Sequence, residues 1–410
     1  MKKNKETKTV ELKSDGARAE LKNNFALCMM VKNESLRIIN SLNTVLGVVD
    51  SIIILDTGST DDTIAKIRSF CEENKLPLHL KEEPFIDYSA SRNSLLEFSD
   101  KLADYLLLLD CNDEVKEGDK LREFVKTYEG PSTGFFLLQS WWNGKTLDEY
   151  FNVRLVKTKN MWRFHRRIHE YIMAPSVEKD MSLIGKIHIK IFQDRTKDDD
   201  KSKKRFPRDR KILYEDVHMD KKDARSKFYL GQTMMCLGQD HLAYRYYRSR
   251  TTLPDFPEEI YHAYFHCGRL GLNLGHKWER CLDMFKSAYR CLKRVEPLLE
   301  ISKYYTKEKK FVEAYLYCKQ SIALEFPSAC MLFVNKRAYS FDRYKIFAEI
   351  CLFSIEELML KTKSEENTRS IKLKLQEGID AINIAIKEDS SDLSCVEVLK
   401  CLKSKTIEYL

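Results

Sequence analysis

The fold of this protein is decided by the stretch Ala103-Asp-Tyr-Leu-Leu-Leu-Leu-Asp-Cys-Asn-Asp-Glu-Val115. Its apolar run, residues 105–109, does not alternate with polar residues, which is typical of a strand buried on both faces inside a parallel sheet. The acids that follow, Asp110, Asp113 and Glu114, are then expected at the carboxyl edge of that sheet, where open α/β sheets bind ligands. Such oxygen donors suit a hard divalent cation held jointly with substrate phosphates. A strand that simply ends in a polar turn is the alternative interpretation.

The segments before this stretch alternate between strand and helix patterns. The strand patterns lie at residues 25–31, 49–55 and 78–81, and the helix patterns at residues 35–46, 63–74 and 89–101. This alternation predicts a doubly wound, mostly parallel sheet. Because parallel strands share a carboxyl side, the polar residues after three of these strands are expected along one edge, and a nucleotide or phosphate site with them. These residues are Asn33 and Glu34, Asp56, and Asp110.

The chain lacks the glycine-rich phosphate loops that many nucleotide-binding sheets carry. Neither Gly-x-Gly-x-x-Gly nor Gly-x-x-x-x-Gly-Lys-Ser/Thr occurs in the sheet region, so neither a dinucleotide site nor a P-loop is supported. We therefore expect a metal ion at Asp110 to hold the phosphates. Further strands are predicted at residues 134–139, 153–156 and 184–192.

Four segments resemble the family 2 glycosyltransferases: Leu27-Cys-Met-Met-Val-Lys-Asn-Glu34, residues 49–63 with the turn Asp-Thr-Gly-Ser-Thr-Asp, Tyr88-Ser-Ala-Ser-Arg-Asn93, and residues 104–114. The resemblance covers roughly residues 25–195 and is greatest to members with tetratricopeptide-like helices behind the transferase. It implies a GT-A fold, a nucleotide-sugar donor that is most often a UDP-sugar, a Mg²⁺ or Mn²⁺ ion, and inversion at the anomeric carbon.

The resemblance also implies roles for individual residues in donor binding. It places Asn33 and Glu34 beside the nucleotide base and ribose, and Asp56 against the base. Arg92 would help to hold the nucleotide. These residues belong to the segments that carry the resemblance, so their roles depend on it.

The metal motif departs from the family pattern at one position. Asp110 and the turn after it match the metal-binding Asp-x-Asp, but the third residue is Asn112 and the next acid is Asp113. Asn is a neutral oxygen ligand, so the affinity for the metal is expected to fall. Three alternatives follow: Asp113 takes over, the metal is weakly held, or catalysis is lost. His169 is a candidate for a third metal ligand or a phosphate contact.

Displacement at a sugar carbon also needs a base that accepts the proton of the acceptor hydroxyl. Residues 163–170 resemble a Val-His-Glu segment of the same family subset, and Glu170 is the favoured base. Asp148 is the second candidate. For His169 and the neighbouring His165, an ordinary loop position is the alternative.

The C-terminal half is predicted to be helical. Helix pairs are expected at residues 224–237 with 241–251, 259–274 with 277–294, 297–305 with 309–324, and 338–361 with 366–387. Their first helices recur at roughly 35 to 38 residues, near the tetratricopeptide period. Such an array leaves a groove or flank for partners, and we expect it to bind the acceptor or form a homodimer, or only to stabilise the protein.

These observations define four regions: a disordered tail at residues 1–23, a GT-A domain at 24–195, a linker at 196–223, and a repeat domain at 224–410. The 12 cysteines form no Cys-x-x-Cys pair, and many fall on apolar strand or helix faces, where free Cys packs as a small hydrophobic residue; this favours a reducing compartment and thus the cytoplasm. The net charge of +8 does not by itself indicate a nucleic-acid partner. No apolar run reaches the roughly 18 residues of a membrane span.

The sequence thus favours an inverting, metal-dependent transferase that moves a sugar from a nucleotide-sugar to a glycan or protein acceptor. Asn112 supports a rival from another functional class: a catalytically degenerate transferase-like scaffold that acts as a protein-interaction module.

Overall fold

A computed structural model describes residues 10–11, 23–144, 147–197, 201–362 and 364–409. The chain divides into two compact units, Met1–Arg205 and Phe206–Leu410, which we call the sheet unit and the helical unit. Most of the tail predicted to be disordered, residues 1–23, lies outside the described residues. The segment 196–223, which we predict as a linker, contains the helix Lys201–Met219 with Pro207 inside it.

The strands of the sheet unit begin and end as follows: β1 (Val10–Glu11), β2 (Phe25–Val31), β3 (Ser51–Asp56), β4 (Leu78–Glu82), β5 (Tyr105–Leu108), β6 (Asp113–Val115), β7 (Gly134–Trp142), β8 (Leu147–Lys157), β9 (Arg163–His165), β10 (Tyr171–Met173) and β11 (Ile184–Asp194). Its helices are α1 (Ile38–Asn43), α2 (Thr63–Glu73), α3 (Tyr88–Ser99), α4 (Gly118–Thr127) and α5 (Pro175–Lys179). Helix α1 is thus shorter than the pattern at residues 35–46 predicts.

The described strands form a sheet with the order β1-β4-β3-β2-β5-β8-β7-β11-β6, and β9 pairs separately with β10. Strands β4, β3, β2 and β5 run parallel to one another, as the alternation of strands and helices predicts. Strand β8 runs antiparallel to β5, and β7 runs antiparallel to β8. The carboxyl ends of β5, β7 and β11 and the start of β8 therefore share one edge of the sheet.

The central strands are buried on both faces, which explains their unbroken apolar runs. Leu27 and Met29 of β2 belong to the core on one face, and Ala26 and Cys28 belong to the core on the other. Helices α1 and α2 cover the first face and α3 the second, because their buried residues belong to those two cores. A parallel sheet needs helices on both faces for this reason.

One part of the stretch that decides the fold differs from its predicted form. Asp113 and Glu114 belong to strand β6 and not to a turn, because β6 pairs antiparallel with β11, with Asp113 opposite Gln193. A strand of three residues is too short to show a periodicity in the sequence, and its partner lies about 80 residues away along the chain.

The helical unit confirms the all-helical prediction for this half of the chain. Its described helices are α6 (Lys201–Met219, which contains the point of division), α7 (Ala224–Cys236), α8 (Asp240–Arg250), α9 (Pro257–Asn273), α10 (Trp278–Cys291), α11 (Val295–Lys307), α12 (Phe311–Ile322), α13 (Arg343–Met359), α14 (Glu365–Glu388) and α15 (Leu393–Tyr409). A π-helical segment, Ala338–Asp342, precedes α13. Helix α15 was not predicted, and none of the described helices combines the length and apolarity that a membrane crossing needs.

Small residues allow the helices of successive pairs to approach closely. A Cβ atom at Gly231 of α7 would lie 3.0 Å from the ring of Tyr247 on α8. At Gly268 of α9 it would lie 2.5 Å from the ring of Phe285 on α10. Both rings are fully buried. The same small-against-aromatic contact thus occurs in two consecutive helix pairs, which is the behaviour of a structural repeat.

Candidate functional site

Three adjacent strands place polar residues at the carboxyl edge of the sheet. Asp56 ends β3, Asn33 and Glu34 follow β2, and Asp110 follows β5. Because these strands are neighbours in the order β3-β2-β5, the outer positions Asp56 and Asp110 are separated by two strand spacings, or about 10 Å. The structure therefore brings the sequence-predicted residues Asn33, Glu34, Asp56 and Asp110 to one edge.

The ends of β2 and β3 are joined through Ser59. The carboxylate of Asp56 accepts hydrogen bonds from the Ser59 backbone N–H at 3.1 Å and from its hydroxyl at 2.6 Å. The Ser59 hydroxyl in turn accepts a hydrogen bond from the Asn33 backbone N–H at 3.0 Å, and Asn33 Oδ1 accepts one from Thr60 N–H at 2.8 Å. Asn33 has a positive φ of 53°, which Asn tolerates better than most residues. This network fixes a polar loop at the first end of the site.

Glu34 lies beside this loop. Its backbone N–H donates to the Thr63 hydroxyl at 2.7 Å, which ties it to the start of α2. Its carboxylate forms an ion pair with Arg37 at 3.1 Å. Asn33 and Glu34 are thus held against the turn after β3, and the turn and helix α2 are the elements that position them.

A cluster of acids and arginines forms the second end of the site. Arg92 of α3 donates from Nη2 to Asp110 Oδ1 at 2.6 Å, and its Nε lies 3.0 Å from Glu170 Oε1. Arg154 of β8 lies 3.3 Å from Asp110 Oδ2 and 3.5 Å from Asp113 Oδ2, measured from Nη2. The structure therefore brings together four of the sequence-predicted residues: Arg92, Asp110, Asp113 and Glu170.

Arg154 was missed by the sequence analysis. It is a charged residue inside an otherwise apolar strand pattern, and only 9% of its side chain is exposed. A buried charged residue is rarely found without a partner, so an arginine within an apolar strand pattern is the feature of the sequence that could have indicated this contact. The partner could not be read from the sequence, because Asp110 lies 44 residues earlier, just after β5, which runs antiparallel to β8.

Asn112 and Asp113 are turned toward the interior of the sheet unit. The carboxylate of Asp113 has no exposed surface. Its Oδ1 accepts hydrogen bonds from Gln139 at 3.1 Å and from Gln193 at 3.3 Å, and its Oδ2 accepts one from the Asp110 backbone N–H at 2.9 Å. Asn112 Oδ1 accepts a hydrogen bond from Gln193 at 2.7 Å. Both residues thus have protein donors on the oxygen atoms that a metal ion would need.

The electrostatics of the two acids differ because of their surroundings. Burial alone would raise the pKa of Asp110, but the guanidinium groups of Arg92 and Arg154 hold this pKa well below its usual range. Burial raises the pKa of Asp113 to about 6, although Arg154 acts in the opposite direction. Asp110 is therefore a carboxylate at every pH at which the protein would normally be studied.

The two remaining candidates, Asp148 and His169, lie on separate elements. Asp148 is an exposed residue of β8 opposite Trp141, and desolvation raises its pKa while Arg195 lowers it. His169 lies in the turn between β9 and β10, directly before Glu170, with a positive φ of 50°. Asn, Asp and His adopt this conformation more often than other residues with a side chain, and it is part of the turn that carries Glu170.

The oxygen donors at this edge suit one mode of divalent metal binding. Within the described residues, no group of three or more His, Cys, Asp and Glu side chains is arranged to hold a metal ion. Asp110 is the acid of the motif with an accessible side chain, 38% exposed. Mg²⁺ is commonly held by one or two carboxylates together with substrate phosphates. The residues present fit an ion held by Asp110 and the phosphates of a ligand.

Comparisons with known proteins gave one protein-family match and several solved structures of low overall similarity. Residues 26–189 match the protein-family model described as Glycosyl transferase family 2. No curated protein matches the chain in sequence. Among solved structures, a MamA structure is 15% identical and covers 44% of this chain and 92% of its own, with a TM-score of 0.32. MamA from Desulfovibrio magneticus RS-1 is 16% identical, with 45% and 86% coverage and a TM-score of 0.31. A TPR repeats protein from Bacteroides fragilis is 8% identical, with 50% and 94% coverage and a TM-score of 0.30.

Proposed function

Because residues 26–189 form a glycosyl transferase family 2 domain, we propose that this protein transfers a sugar from a nucleotide-sugar to a glycan or protein acceptor. We propose a UDP-sugar as the donor, a divalent ion as the cofactor, and inversion at the anomeric carbon. The observation that carries the proposal is the cluster in which Arg92 holds both Asp110 and Glu170 at the carboxyl edge of β5.

The polar loop after β2 and β3 suits the nucleoside of such a donor, and the cluster at Asp110 suits its diphosphate. Asp56 and Asn33 belong to the polar loop at the ends of β3 and β2, which suits the polar groups of a base and a ribose. Asp110 and the two arginines lie about 10 Å away across two strand spacings. That separation suits the distance between the nucleoside and its diphosphate, so the sugar would extend beyond Asp110 toward Glu170.

The chemistry that this site supports is a single displacement at the anomeric carbon. A Mg²⁺ or Mn²⁺ ion, when bound at Asp110, would neutralise negative charge on the leaving diphosphate. Arg92 and Arg154 supply further positive charge at the same end of the site. Glu170 accepts the proton of the acceptor hydroxyl as the new bond forms, and Asp148 is the second candidate for this base. Attack from the face opposite the diphosphate inverts the configuration.

We propose that the helical unit binds the acceptor or forms a homodimer. Support comes from its architecture, in which successive helix pairs α7–α8, α9–α10 and α11–α12 stack side by side. Arrays of this kind use the surface formed by successive repeats to bind extended partners.

The test is thermal unfolding of the full chain with a panel of nucleotide-sugars, each with and without Mn²⁺. A rise of the melting temperature with one donor, larger in Mn²⁺ than in EDTA, is the expected result. The absence of any shift with every donor would contradict the proposal, and it would favour a transferase-like scaffold whose donor site has lost function.

A further inference from the structure

We propose that the helical unit binds a polypeptide through its main chain in the groove between α9 and α11, and that residues 331–333 of the chain itself occupy this groove. These three residues are called the internal segment below. The proposal rests on the proposed function in one respect, the binding of a partner by the helical unit, and it names the chemical class of that partner. The internal segment must leave before an external polypeptide can enter, so the groove is regulated by the chain itself.

The internal segment belongs to an unusually long connection. The connections within the pairs α7–α8, α9–α10 and α11–α12 are short, at residues 237–239, 274–277 and 308–310. After α12 the next helical residue is Lys336, so the chain runs through residues 323–335 without a helix. Connections between packed helices usually have about two to eight residues. The extra length of this connection allows it to reach α9 and the start of α11.

Glu258 of α9 binds the amide groups of the internal segment. Its two carboxylate oxygens accept hydrogen bonds from the backbone N–H of Met331 at 3.0 and 2.9 Å, and one of them accepts the backbone N–H of Leu332 at 2.5 Å. Glu258 is itself buried. A carboxylate that accepts from two successive amides recognises a main-chain conformation, because every residue except proline carries the same N–H group.

Arg294 and His262 bind the carbonyl groups of the internal segment. Arg294 donates from Nη1 to the backbone carbonyl of Leu332 at 3.2 Å and from Nη2 to that of Phe333 at 2.8 Å. His262 Nε2 lies 3.2 Å from the same carbonyl oxygen of Leu332. Both side chains are buried, and Arg294 is held in place by an ion pair with Glu296. The groove thus carries fixed partners for both kinds of main-chain group.

The internal segment occupies this site at a disadvantage. The side chains of Met331 and Phe333 are exposed, so they add little buried apolar surface. Phe333 has a positive φ of 42°, a conformation that is unfavourable for a bulky residue. Main-chain hydrogen bonds therefore hold the segment against an unfavourable backbone conformation. A polypeptide that offers the same N–H and C=O groups, with glycine at the position of Phe333, makes these hydrogen bonds without that cost.

A cavity continues the groove beyond the internal segment. It has a volume of about 420 Å³, the internal segment borders it, and its walls include Phe265 and Arg269 of α9 with Glu300 and Lys303 of α11. The Nδ1 atom of His266, which also lines it, is buried and has no hydrogen-bond partner among the described residues. The cavity offers an aromatic surface, charges of both signs and a free polar atom to the residues that flank the bound main chain.

The experiment measures the binding of a fluorescein-labelled synthetic peptide to the full chain by fluorescence anisotropy. The peptide has the sequence of residues 328–336, with serine in place of Cys330. The double variant Met331→Pro, Leu332→Pro lacks both N–H groups that Glu258 accepts, whereas Met331→Ala, Leu332→Ala keeps them and is the matched control. The proline variant is expected to bind the peptide at least about tenfold more tightly than the alanine variant and the wild type, because a larger fraction of its grooves is open.

Two further changes locate the peptide in the groove. Adding Glu258→Gln to the proline variant is expected to weaken peptide binding at least about tenfold, because one amide oxygen replaces a charged acceptor of two N–H groups. Glu279→Gln is the control, since Glu279 is the second residue of α10 as Glu258 is of α9. A peptide with glycine at the position of Phe333 is expected to bind more tightly than the parent peptide.

Three results would overturn the proposal. The first is equal peptide affinity, or no peptide binding, in the proline and alanine variants when both keep the melting temperature of the wild type. The second is peptide binding that Glu258→Gln and Glu279→Gln weaken equally. The third is binding of an oligosaccharide such as maltohexaose, and not of the peptide, to the proline variant.

Hydrogen exchange of the wild-type chain gives a second measurement that does not depend on the folding of the proline variant. A millimolar excess of the peptide is expected to speed exchange at the amides of Met331 and Leu332, because the displaced segment loses its hydrogen bonds to Glu258. Unchanged exchange at both amides would overturn the proposal. Donor binding is measured separately by thermal unfolding with nucleotide-sugars, so a failure of the peptide to bind and a failure of the transferase proposal are distinguished.

Discussion

At the residue scale, Arg92 is the centre of the proposed site because it contacts two acids through different nitrogen atoms. Nη2 donates to Asp110, and Nε forms an ion pair with Glu170 at 3.0 Å. The planar guanidinium fixes the angle between these two contacts, which a lysine ammonium would not. Asp110 and Glu170 are thereby held on either side of one rigid group. The geometry explains how a loop residue such as Glu170 is positioned next to a strand end.

The two candidate bases are distinguished by paired substitutions. Glu170→Gln is expected to reduce the rate of sugar transfer by about 10²- to 10⁴-fold, because the amide cannot accept the proton of the acceptor. Asp148→Asn is expected to leave the rate nearly unchanged. Turnover is measured with the donor identified by thermal unfolding, and calorimetry checks that donor affinity is retained in both variants. A large loss in Asp148→Asn alone would transfer the role of the base to Asp148.

Arg154 gives a second prediction at this scale. Arg154→Lys keeps the positive charge near Asp110 and Asp113 but cannot donate from two nitrogen atoms at fixed angles. We expect UDP affinity in Mn²⁺ to fall about tenfold or more, with a smaller change in the stability of the ligand-free protein. Lys190→Arg is the control, since Lys190 pairs with Glu149 and not with the cluster. Unchanged UDP affinity in Arg154→Lys would limit Arg154 to a structural role.

At the element scale, helix α9 carries two histidines against its neighbours in the helical unit: His262 is buried, and His266 is half-buried. Burial lowers the pKa of His266 to about 3, and burial together with Arg294 and His266 lowers that of His262 well below 6.5. His266 stacks on Tyr247 with 4.9 Å between ring centroids, and its Nδ1 has no hydrogen-bond partner among the described residues. The neutral imidazoles act here as flat aromatic side chains that fill the space between neighbouring helices.

These histidines predict a pH dependence of stability. Below pH 6.5 the unfolded chain gains a proton on each imidazole that the folded chain does not, so stability is lost as the pH falls from 6.5 toward 3. The free energy of unfolding decreases by about 1.4 kcal/mol per pH unit for each such histidine. Urea unfolding at pH 7.5, 6.5 and 5.5 measures this slope. His266→Phe is expected to reduce the slope by the contribution of one histidine, about 1.4 kcal/mol per pH unit. An unchanged slope in His266→Phe would contradict the assignment of this pH dependence to His266.

The close packing of α9 on α10 predicts a cost for a single methyl group. Gly268→Ala places a Cβ 2.5 Å from the Phe285 ring, so the ring must move, and we expect a loss of roughly 1–3 kcal/mol of stability. Phe285→Leu in the same chain is expected to reduce that loss, which a double-mutant cycle measures from denaturant unfolding. Strictly additive effects of the two substitutions would show that the loss of stability in Gly268→Ala does not come from the contact with the Phe285 ring.

At the scale of the whole molecule, donor binding and acceptor binding are expected to affect different halves. All residues assigned to the donor lie between Asn33 and Glu170, within the sheet unit. Hydrogen exchange of the full chain should therefore show donor-induced protection at residues 32–37, 56–63, 88–93 and 163–170. An acceptor should add protection within residues 206–410. Donor-induced protection confined to the helical unit would contradict the assignment of the donor to the sheet unit.

The sequence by itself determined most of the elements of both halves and most of the edge where the site lies. Unbroken apolar runs such as residues 25–31 are typical of strands buried on both faces, and they can be recognised without knowledge of distant contacts. Their alternation with helices predicts the order of a parallel sheet. The positions of Asn33, Asp56 and Asp110 at one edge follow from that order, because parallel strands share a carboxyl side. The helical half was likewise recognisable, since helix formation depends on local periodicity.

Only the tertiary structure decided which side chains share the site. Arg154 reaches Asp110 because β8 runs antiparallel to β5, and Gln193 reaches Asn112 because β11 pairs with β6. These contacts depend on strand pairing between segments that are 44 to 81 residues apart, which no local pattern records. The same pairing buries Asp113, which the sequence left open as a metal ligand. Local preferences thus specify the elements, whereas packing across the sheet specifies the chemistry at its edge.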